Sequence, residues 1–176
     1  IEAEAAATLS HPNILPIHAI GSWQGIDYFV MPLVTGDSLQ RIVQDRQQSL
    51  SSNRPSETQT RDHVRQSVAL VRDIARGVAY AHRRGIIHRD LKPDNIMIDK
   101  KKQPVIMDFG LARREGTEET QLTQAGQLMG TPAYMSPEQV AGDVEGMGPC
   151  CDIYSLGVSM YEMLTGERPF TGNLMS

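Results

Sequence analysis

Hydrophobic and polar positions follow two different periods along this chain, which indicates both helices and strands. The longest helical stripe runs from residue 64 to residue 82, where an inward-facing residue recurs every three or four positions. Its members are Val64, Val68, Val71, Ala75, Val78 and His82. Gly85 follows this helix in a position where glycine is favoured. A second long helix is predicted to begin near Asp152 and end at Gly166, with the inward face formed by Ile153, Leu156, Met160 and Met163.

Short apolar runs predict two β-hairpins. Residues 14–20 and 26–31 flank a glycine-bearing turn at residues 21–25. Residues 96–98 and 105–107 flank a polar turn in the same way. The sequence therefore predicts a hairpin on each side of the long helical stripe.

The segments between these elements carry weaker signals. Residues 1–9 are helix formers, and Pro12 stops that helix. Residues 35–37 predict a turn, after which a short helix is predicted with Leu39, Ile42 and Val43 facing inward. The polar stretch at residues 45–62 predicts a surface loop. A further helix is predicted to begin with a capping serine, a proline and a glutamine, at Ser136, Pro137 and Gln139.

Composition narrows the class of protein. The chain has 176 residues, is 40% hydrophobic and carries 17 basic against 21 acidic residues, a net charge of −4. This is typical of a globular protein and argues against a nucleic-acid partner, which needs a concentrated basic face. No apolar run approaches the roughly 20 residues of a membrane span, so no membrane segment is expected within this chain. The two cysteines are adjacent, which favours a reducing compartment and gives no metal-site spacing.

The most informative polar residues lie in the loop after the long helix. Asp90, Lys92 and Asn95 supply a carboxylate, a cation and an amide oxygen within a few residues. Asp108 follows the second predicted hairpin, which can bring it back beside that loop. Because Mg²⁺ prefers oxygen ligands, Asp90, Asn95 and Asp108 are expected to face one pocket that holds a divalent cation.

These residues belong to four motifs in a characteristic order. They are His-Arg-Asp at 88–90 with Asn95, Asp-Phe-Gly at 108–110, Gly-Thr-Pro-Ala-Tyr-Met-Ser-Pro-Glu at 130–138 and Asp-Ile-Tyr-Ser-Leu-Gly-Val at 152–158. In order and spacing they resemble the motifs of Ser/Thr protein kinases. One departure is Ser136, which stands where alanine is usual in that family.

The resemblance implies an α+β, two-lobed protein-kinase-like fold. Residues 1–34 would be a remnant of the small lobe, with one helix, one hairpin and the hinge. Residues 35–176 would form a mainly helical large lobe that is incomplete at its C-terminus. The Gly-rich loop, the strand lysine and the last helices of the family are missing, so the chain is interpreted as an excerpt of a longer protein. With so little sheet, it is expected neither to fold well nor to transfer phosphate alone.

The resemblance also assigns roles to the catalytic residues. Asp90 would orient the substrate hydroxyl and accept its proton, and Lys92 would steady the transferred phosphoryl group. Asn95 and Asp108 would hold Mg²⁺, or Mn²⁺ in its place, on the phosphates of ATP. Five further residues would serve nucleotide binding. Glu2 would be the helix glutamate that pairs with the strand lysine, and Met31 would guard the adenine pocket. Pro32 and Val34 would be hinge residues, and Met97 would lie beneath the adenine ring.

Regulatory and structural roles follow from the same resemblance. Arg89 and Arg113 would grip a phosphate on the activation segment, at Thr117, Thr120 or Thr123. Threonines in a polar loop need no function at all, which is the alternative. Thr131 would contact the catalytic loop, and Glu138 would close the substrate-binding segment. Three residues would be structural, namely His88, Phe109 and Asp152.

The predicted function is transfer of the ATP γ-phosphoryl group to Ser/Thr hydroxyls of protein substrates, in the cytoplasm, with a membrane tether outside these residues left open. One alternative is a pseudokinase scaffold without catalysis, which the identity of the upstream strand residue would distinguish. A second alternative is a metal-dependent hydrolase that uses His82, His88, Asp90 and Asp108.

Overall fold

The computed structural model describes residues 6–52, 55–109 and 132–170. Five strands lie within these ranges: β1 (Ala19–Trp23), β2 (Ile26–Val30), β3 (Gly36–Ser38), β4 (Ile96–Asp99) and β5 (Pro104–Ile106). Four α-helices accompany them: α1 (Leu39–Ser52), α2 (Glu57–His82), α3 (Pro137–Val140) and α4 (Pro149–Thr165). Two 3₁₀ turns span Pro93–Asn95 and Pro132–Tyr134. Of the predicted opening helix, residues 6 and 7 are helical and its first five residues lie outside the described ranges.

The first predicted hairpin is confirmed, but its turn is shorter than predicted. β1 and β2 pair antiparallel from Ala19 with Val30 to Trp23 with Ile26. The turn is therefore Gln24-Gly25, and both residues have positive φ, at 51° and 78°. Two such residues form the tight turn whose twist matches paired strands, so residues 21–23 stay in the strand.

The second hairpin is also confirmed, and a third strand joins it. The sheet has the order β3-β4-β5, and all of its pairs are antiparallel. The predicted turn at residues 35–37 is wrong in part, because Gly36 opens β3 and pairs with Asp99. A Cβ on Gly36 would stand 1.9 Å from the carbonyl oxygen of Ile98. Here glycine allows a close approach of two strands and does not mark a turn.

The segment before β1 is tied to this sheet. The N–H of Ile106 donates to the carbonyl of Asn13 at 2.9 Å, and the N–H of Leu15 donates to the carbonyl of Ile106 at 2.9 Å. The side-chain amide of Asn13 donates to the carbonyl of Pro104 at 2.8 Å. Ile14 therefore forms an isolated parallel bridge with Ile106 of β5, and the predicted strand at residues 14–20 is divided between this bridge and β1.

The predicted surface loop at residues 45–62 is wrong. α1 continues to Ser52, and α2 begins at Glu57 after an N-cap at Ser56 whose capping box includes Gln59. Arginine, glutamine and glutamate are good helix formers, so a polar stretch rich in them forms exposed helix. Polarity alone therefore did not identify a loop.

The inward faces of the two long helices differ from the predicted stripes. Val64 and Val68 of α2 are 42% and 47% exposed, whereas the buried residues of α2 are Ser67, Ile74, Gly77, Val78 and Ala81. In α4, Ile153 is 63% exposed although it was predicted to face inward. The buried face of α4 is largely polar, and its buried serine hydroxyls all have hydrogen-bond partners. Ser155 donates to the carbonyl of Tyr134 at 2.7 Å, and Ser159 donates to the carbonyl of Ser155 at 2.9 Å.

Candidate active site

The loop between α2 and β4 is anchored by buried apolar residues. Leu91 is 1% exposed and Pro93 is fully buried, so the polar residues between and beside them project outward. The ammonium of Lys92 lies 2.7 Å and 3.0 Å from the two carboxylate oxygens of Asp90. The side chain of Asp90 is 45% exposed. A carboxylate held by a cation at the surface of a rigid loop is suited to meet a substrate hydroxyl.

Asn95 completes this arrangement and leaves one oxygen for a ligand. Its side-chain Nδ2 donates to the backbone carbonyl of Asp90 at 2.8 Å and to the carboxylate of Asp90 at 2.9 Å. Both amide hydrogens are thus used, and Oδ1 remains as the atom that can accept a hydrogen bond or ligate a cation.

Asp108 lies close to Asn95. The N–H of Met107 donates to the carbonyl of Asn95 at 2.9 Å, so the next residue along the chain emerges beside the catalytic loop. Asp108 is exposed and has a positive φ of 60°. Within the described ranges its carboxylate makes no hydrogen bond or ion pair. Two oxygen donors from Asn95 and Asp108, on a surface open to further ligands, fit Mg²⁺, which keeps waters and phosphates for its other positions.

His88 is buried and contacts the backbone next to both acidic residues, Asp90 and Asp108. It is 0% exposed, its Nε2–H donates to the carbonyl of Met107 at 2.8 Å, and its Nδ1 accepts the N–H of Asp90 at 3.3 Å. This pair of contacts requires the neutral ring, and burial lowers the pKa of His88 in agreement with it. Its ring packs edge-on against Phe109, with centroids 4.7 Å apart. These contacts agree with the structural role predicted for His88, because both ring nitrogens are used by the backbone.

Arg89 has a strained backbone that is fixed on both sides. Its φ is +67°, a conformation that costs about 1–3 kcal/mol for a residue with a side chain. The N–H of Arg89 donates to Oδ1 of Asp152 at 2.8 Å, and its carbonyl accepts Nε2 of Gln139 at 2.6 Å. The second oxygen of Asp152 accepts the N–H of His88 at 2.8 Å. α3 and α4 together thus hold the residue that precedes Asp90.

Of the described residues expected to bind adenine, only Met31 lines the cavity that contains Asp108. Met31 shares a small cavity with Asp108, and the cavity is lined by Ala6, Leu15, Ile17, Met31, Asp108 and Phe109. The N–H of Val34 donates no hydrogen bond within the described part of the chain, so it is available to a ligand. Pro32 lines a separate groove with Val34. Met97 is half-buried on β4, opposite Val105.

Comparison with known proteins decides the family. A family model described as the protein kinase domain matches residues 1–175. The chain belongs to the protein kinase family. The two-lobed kinase fold, with a small sheet-containing lobe and a helical lobe, is therefore the fold of this chain, whereas the lobe boundary at residue 34 stays a prediction.

Individual relatives are bacterial kinases. The chain is 38% identical to "Serine/threonine-protein kinase PknD" of Protochlamydia amoebophila, over 96% of this chain and 18% of that protein. It is 38% identical to "Serine/threonine-protein kinase PknB" of Mycobacterium leprae, over 98% of this chain and 26% of that protein. A third relative is "Probable serine/threonine-protein kinase pknA2" of Bifidobacterium longum, at 36% identity over 96% and 20%. The kinase chain thus spans only about a fifth to a quarter of these relatives, and their names give no support to the pseudokinase alternative.

The segment predicted to bind the protein substrate is described from residue 132 onward. The hydroxyl of Tyr134 donates to the carboxylate of Glu162, and burial, followed by this bond, raises the pKa of Tyr134. Glu138 accepts the thiol of Cys151 at 3.2 Å. The pKa of Glu138 is lowered, first by its own backbone N–H and then by that thiol. Six predicted kinase residues lie outside the described ranges: Glu2, Arg113, Thr117, Thr120, Thr123 and Thr131.

The residues of the hydrolase hypothesis do not converge on a metal. Nε2 of His82 contacts Asp152 at 2.7 Å, and both nitrogens of His88 are used by the backbone. Over residues 6–52, 55–109 and 132–170 there is no group of three or more His, Cys, Asp or Glu side chains that could hold a metal ion. Within the same ranges, no helix combines the length and the apolar character that crossing a membrane requires.

Sequence reasoning missed three supporting contacts of this kinase site. The bond from Gln139 to Arg89 was missed, although Gln139 itself was identified as a cap residue. The helical stripe predicts His82 on the inward face, and its side chain is 13% exposed, but its contact with Asp152 was not predicted. The pair formed by Tyr134 and Glu162 has no spacing signal, since 28 residues separate its members. All three join segments that are distant along the chain.

Proposed function

We propose that this chain forms the catalytic part of a Ser/Thr protein kinase that transfers the γ-phosphoryl group of ATP to hydroxyls of protein substrates. One observation carries the proposal: the carboxylate of Asp90 is held by Lys92 and Asn95, and a backbone hydrogen bond from Met107 to Asn95 brings the chain that leads into Asp108 to the same loop. The relatives named as Ser/Thr protein kinases support the same activity. The protein substrate, the nucleotide and the location in the cytoplasm, where ATP is available, are parts of this proposal.

Each catalytic side chain has a distinct task in it. Asp90 orients the substrate hydroxyl and accepts its proton as the oxygen attacks phosphorus. Lys92 lies within reach of both the hydroxyl and the phosphoryl oxygens, whose growing charge it stabilises. Asn95 contributes Oδ1 and Asp108 contributes its carboxylate to Mg²⁺, which Mn²⁺ can replace. The cation supplies counter-charge to the nucleotide phosphates when it is bound.

The nucleotide is proposed to lie between the hinge and the catalytic loop. Val34 offers an unused N–H to the adenine edge, and Pro32 needs only its carbonyl because proline has no N–H. Met31 closes the rear of the site, in the cavity it shares with Asp108. Met97 contributes apolar surface for the adenine ring, and Glu2 would pair with a lysine outside this chain.

Regulation by phosphorylation is a further part of the proposal. Arg89 precedes Asp90, and its guanidinium can bind a phosphate together with Arg113. Three candidate phosphosites lie in the same segment as Arg113, namely Thr117, Thr120 and Thr123. A phosphate on that segment would add two negative charges beside Arg89 and would order the segment against the catalytic loop.

The test is phosphoryl transfer by the full-length protein that carries this chain. Asp90→Asn keeps the size and the contact with Asn95 but removes the base, and we expect the rate of transfer to casein to fall by roughly 10²- to 10⁴-fold. Asp45→Asn, at an exposed position on α1, is the matched control and should leave the rate unchanged. An Asp90→Asn protein as active as the wild type, or a wild-type protein that transfers no phosphate, would contradict the proposal.

A further inference from the structure

Gln139 joins two segments that the sequence separates by 50 residues. It lies in the first turn of α3 and is half-buried. Its Oε1 accepts the N–H of Ser136 at 3.0 Å, which is the expected helix cap. Its Nε2 donates to the carbonyl of Arg89 at 2.6 Å, which a helix cap does not require. One side-chain amide therefore serves both the substrate-binding segment and the catalytic loop.

The chemistry of these contacts fixes the orientation of the amide. Reversing it would place Nε2 against the N–H of Ser136 and Oε1 against the carbonyl of Arg89, so both contacts would become repulsive. Only a side chain with an acceptor and a donor on one planar group fits both partners. Glutamate retains the acceptor but loses the donor, and lysine does the reverse.

The carbonyl that Gln139 binds belongs to the peptide group leading directly into Asp90. That peptide follows a residue with a positive φ of 67°, which side-chain-bearing residues adopt only when their surroundings impose it. Asp152 holds the N–H of Arg89 at 2.8 Å, on the other side of the same residue. With one contact on each side, the backbone of Arg89 cannot rotate, and the direction of the Asp90 side chain is set.

We infer that Gln139 is a positioning residue for Asp90, which acts through the carbonyl of Arg89 and couples the substrate-binding segment to the catalytic loop. The inference rests on the proposed kinase function and deepens it. When a bound substrate fixes the conformation of α3, the contact through Gln139 also fixes the orientation of the Asp90 side chain. When α3 is mobile, Asp90 is not held in the orientation that the reaction needs. The effect is expected on the rate of transfer and not on nucleotide affinity, because Gln139 touches no residue assigned to ATP.

A pair of variants with opposite chemistry separates this role from helix capping. Gln139→Glu keeps the cap and adds a charge that is favourable at a helix N-terminus, yet it places a carboxylate against the carbonyl of Arg89. Gln139→Lys loses the cap but retains a donor for that carbonyl. Val140→Glu places the same charge on the exposed neighbouring position and is the matched control.

In the full-length protein, we expect Gln139→Glu to lower kcat for casein at least tenfold, while KM for ATP changes less than twofold. Gln139→Lys should retain kcat within about threefold, and Val140→Glu should match the wild type. If Gln139→Glu is as active as the wild type, or if Gln139→Lys is the more impaired of the two, Gln139 only caps α3 and the inference is wrong.

Hydrogen exchange of the same proteins tests the positioning without relying on catalysis. Gln139→Glu should speed exchange at the amides of Arg89 and Asp90 at least tenfold, and Gln139→Lys should not. Unchanged protection at both amides in Gln139→Glu would overturn the inference even if the wild type transfers no phosphate. Faster exchange in Gln139→Glu than in the wild type, combined with a wild-type protein that transfers no phosphate, would support the coupling and reject only the proposed kinase function.

Discussion

Nε2 of His82 lies 2.7 Å from Oδ2 of Asp152, and this contact joins the end of α2 to the start of α4 beneath the catalytic loop. The same carboxylate accepts the N–H groups of His88 and Arg89. Asp152 is 0% exposed, and its buried oxygens are satisfied by the backbone N–H groups of His88 and Arg89 and by the ring of His82. The carboxylate thereby fixes the loop that carries Asp90 to the two longest described helices.

The first prediction concerns this anchor. Asp152→Asn keeps the shape of the side chain but replaces one acceptor oxygen with an NH₂ group that faces a donor. Because a charge-assisted hydrogen bond is lost and a buried donor is left unsatisfied, we expect the free energy of unfolding to fall by about 2–4 kcal/mol. Urea unfolding followed by circular dichroism measures the change.

Asp143→Asn is the control for this substitution. Asp143 is exposed, and among the described residues its carboxylate accepts only the N–H of Gly146, at 3.0 Å. We expect a change within about 0.5 kcal/mol. Equal effects of the two substitutions would show that Asp152 contributes no more than a surface turn residue does.

Much of the fold was readable because local signals agreed with the tertiary structure. The short apolar runs at residues 96–98 and 105–107 predicted the hairpin that brings the chain before Asp108 back to Asn95, and the motif order predicted the family. The residues predicted to form the catalytic loop lie within eight consecutive positions, so their chemistry could be recognised without knowledge of the fold; their roles stay a prediction.

The predictions that were wrong concern residues whose surroundings are determined by contacts with distant segments of the chain. Val64 and Val68 fit a helical stripe but lie on an exposed face of α2. The polar Ser67 is buried instead, and its hydroxyl lies 3.2 Å from Nε2 of His63. The sequence predicts a turn at Gly36, but this residue lies in β3, where the missing Cβ leaves room for the carbonyl oxygen of Ile98. Neither the exposure of these α2 positions nor the close contact at Gly36 can be predicted from neighbouring residues, because each depends on which distant segment packs there.

Gly36 gives the second prediction. Gly36→Ala would place a methyl group 1.9 Å from the carbonyl oxygen of Ile98, which forces β3 away from β4. We expect a loss of at least about 2 kcal/mol in the free energy of unfolding, because strand backbone must move. Differential scanning calorimetry of the full-length protein is suited to this comparison.

Gly157→Ala is the matched control and should have the opposite sign. Gly157 lies inside α4 with no atom within 4 Å of the added Cβ, and it is exposed. Replacing glycine by alanine in an exposed helix interior stabilises by about 0.5–1 kcal/mol. If Gly36→Ala also stabilised the protein, the close approach of β3 and β4 described above would be incorrect.

The third prediction concerns the cation site. Asp108→Asn keeps the size of the side chain and removes the charge that would hold Mg²⁺. We expect the affinity for ATP measured with Mg²⁺ to fall at least tenfold, while the affinity measured with EDTA changes less than twofold, because the hinge contacts are unaffected. Calorimetric titration in the two buffers gives both values.

For this substitution Asp45→Asn is the control, since it removes a carboxylate from the exposed face of α1. It should leave both affinities unchanged. Equal losses with and without Mg²⁺ would indicate that Asp108 shapes the nucleotide pocket and does not bind the cation.

The fourth prediction is a decline of stability in mild acid. Burial lowers the pKa of His88, and burial followed by the charge of Arg46 lowers the pKa of His63, so each imidazole binds a proton less readily in the folded protein than in the unfolded chain. In the unfolded chain they gain protons as the pH falls through about 6.5. The unfolded state then binds more protons than the folded state, so the free energy of unfolding must fall with pH, by at most about 1.4 kcal/mol per pH unit for each proton.

Unfolding in urea at pH 7.5, 6.5 and 5.5 measures this dependence above the range in which most carboxylates titrate. His63→Gln is the diagnostic variant, because its amide can still donate to the carbonyl of Met163, which Nε2 of His63 contacts at 2.7 Å, yet it cannot bind a proton. We expect this variant to lose less stability between pH 7.5 and 5.5 than the wild type, with the remaining slope due mainly to His88. A wild-type stability that stays constant or rises toward pH 5.5 is incompatible with a neutral His88 in the folded protein, and with the hydrogen bonds that place it between Asp90 and Met107.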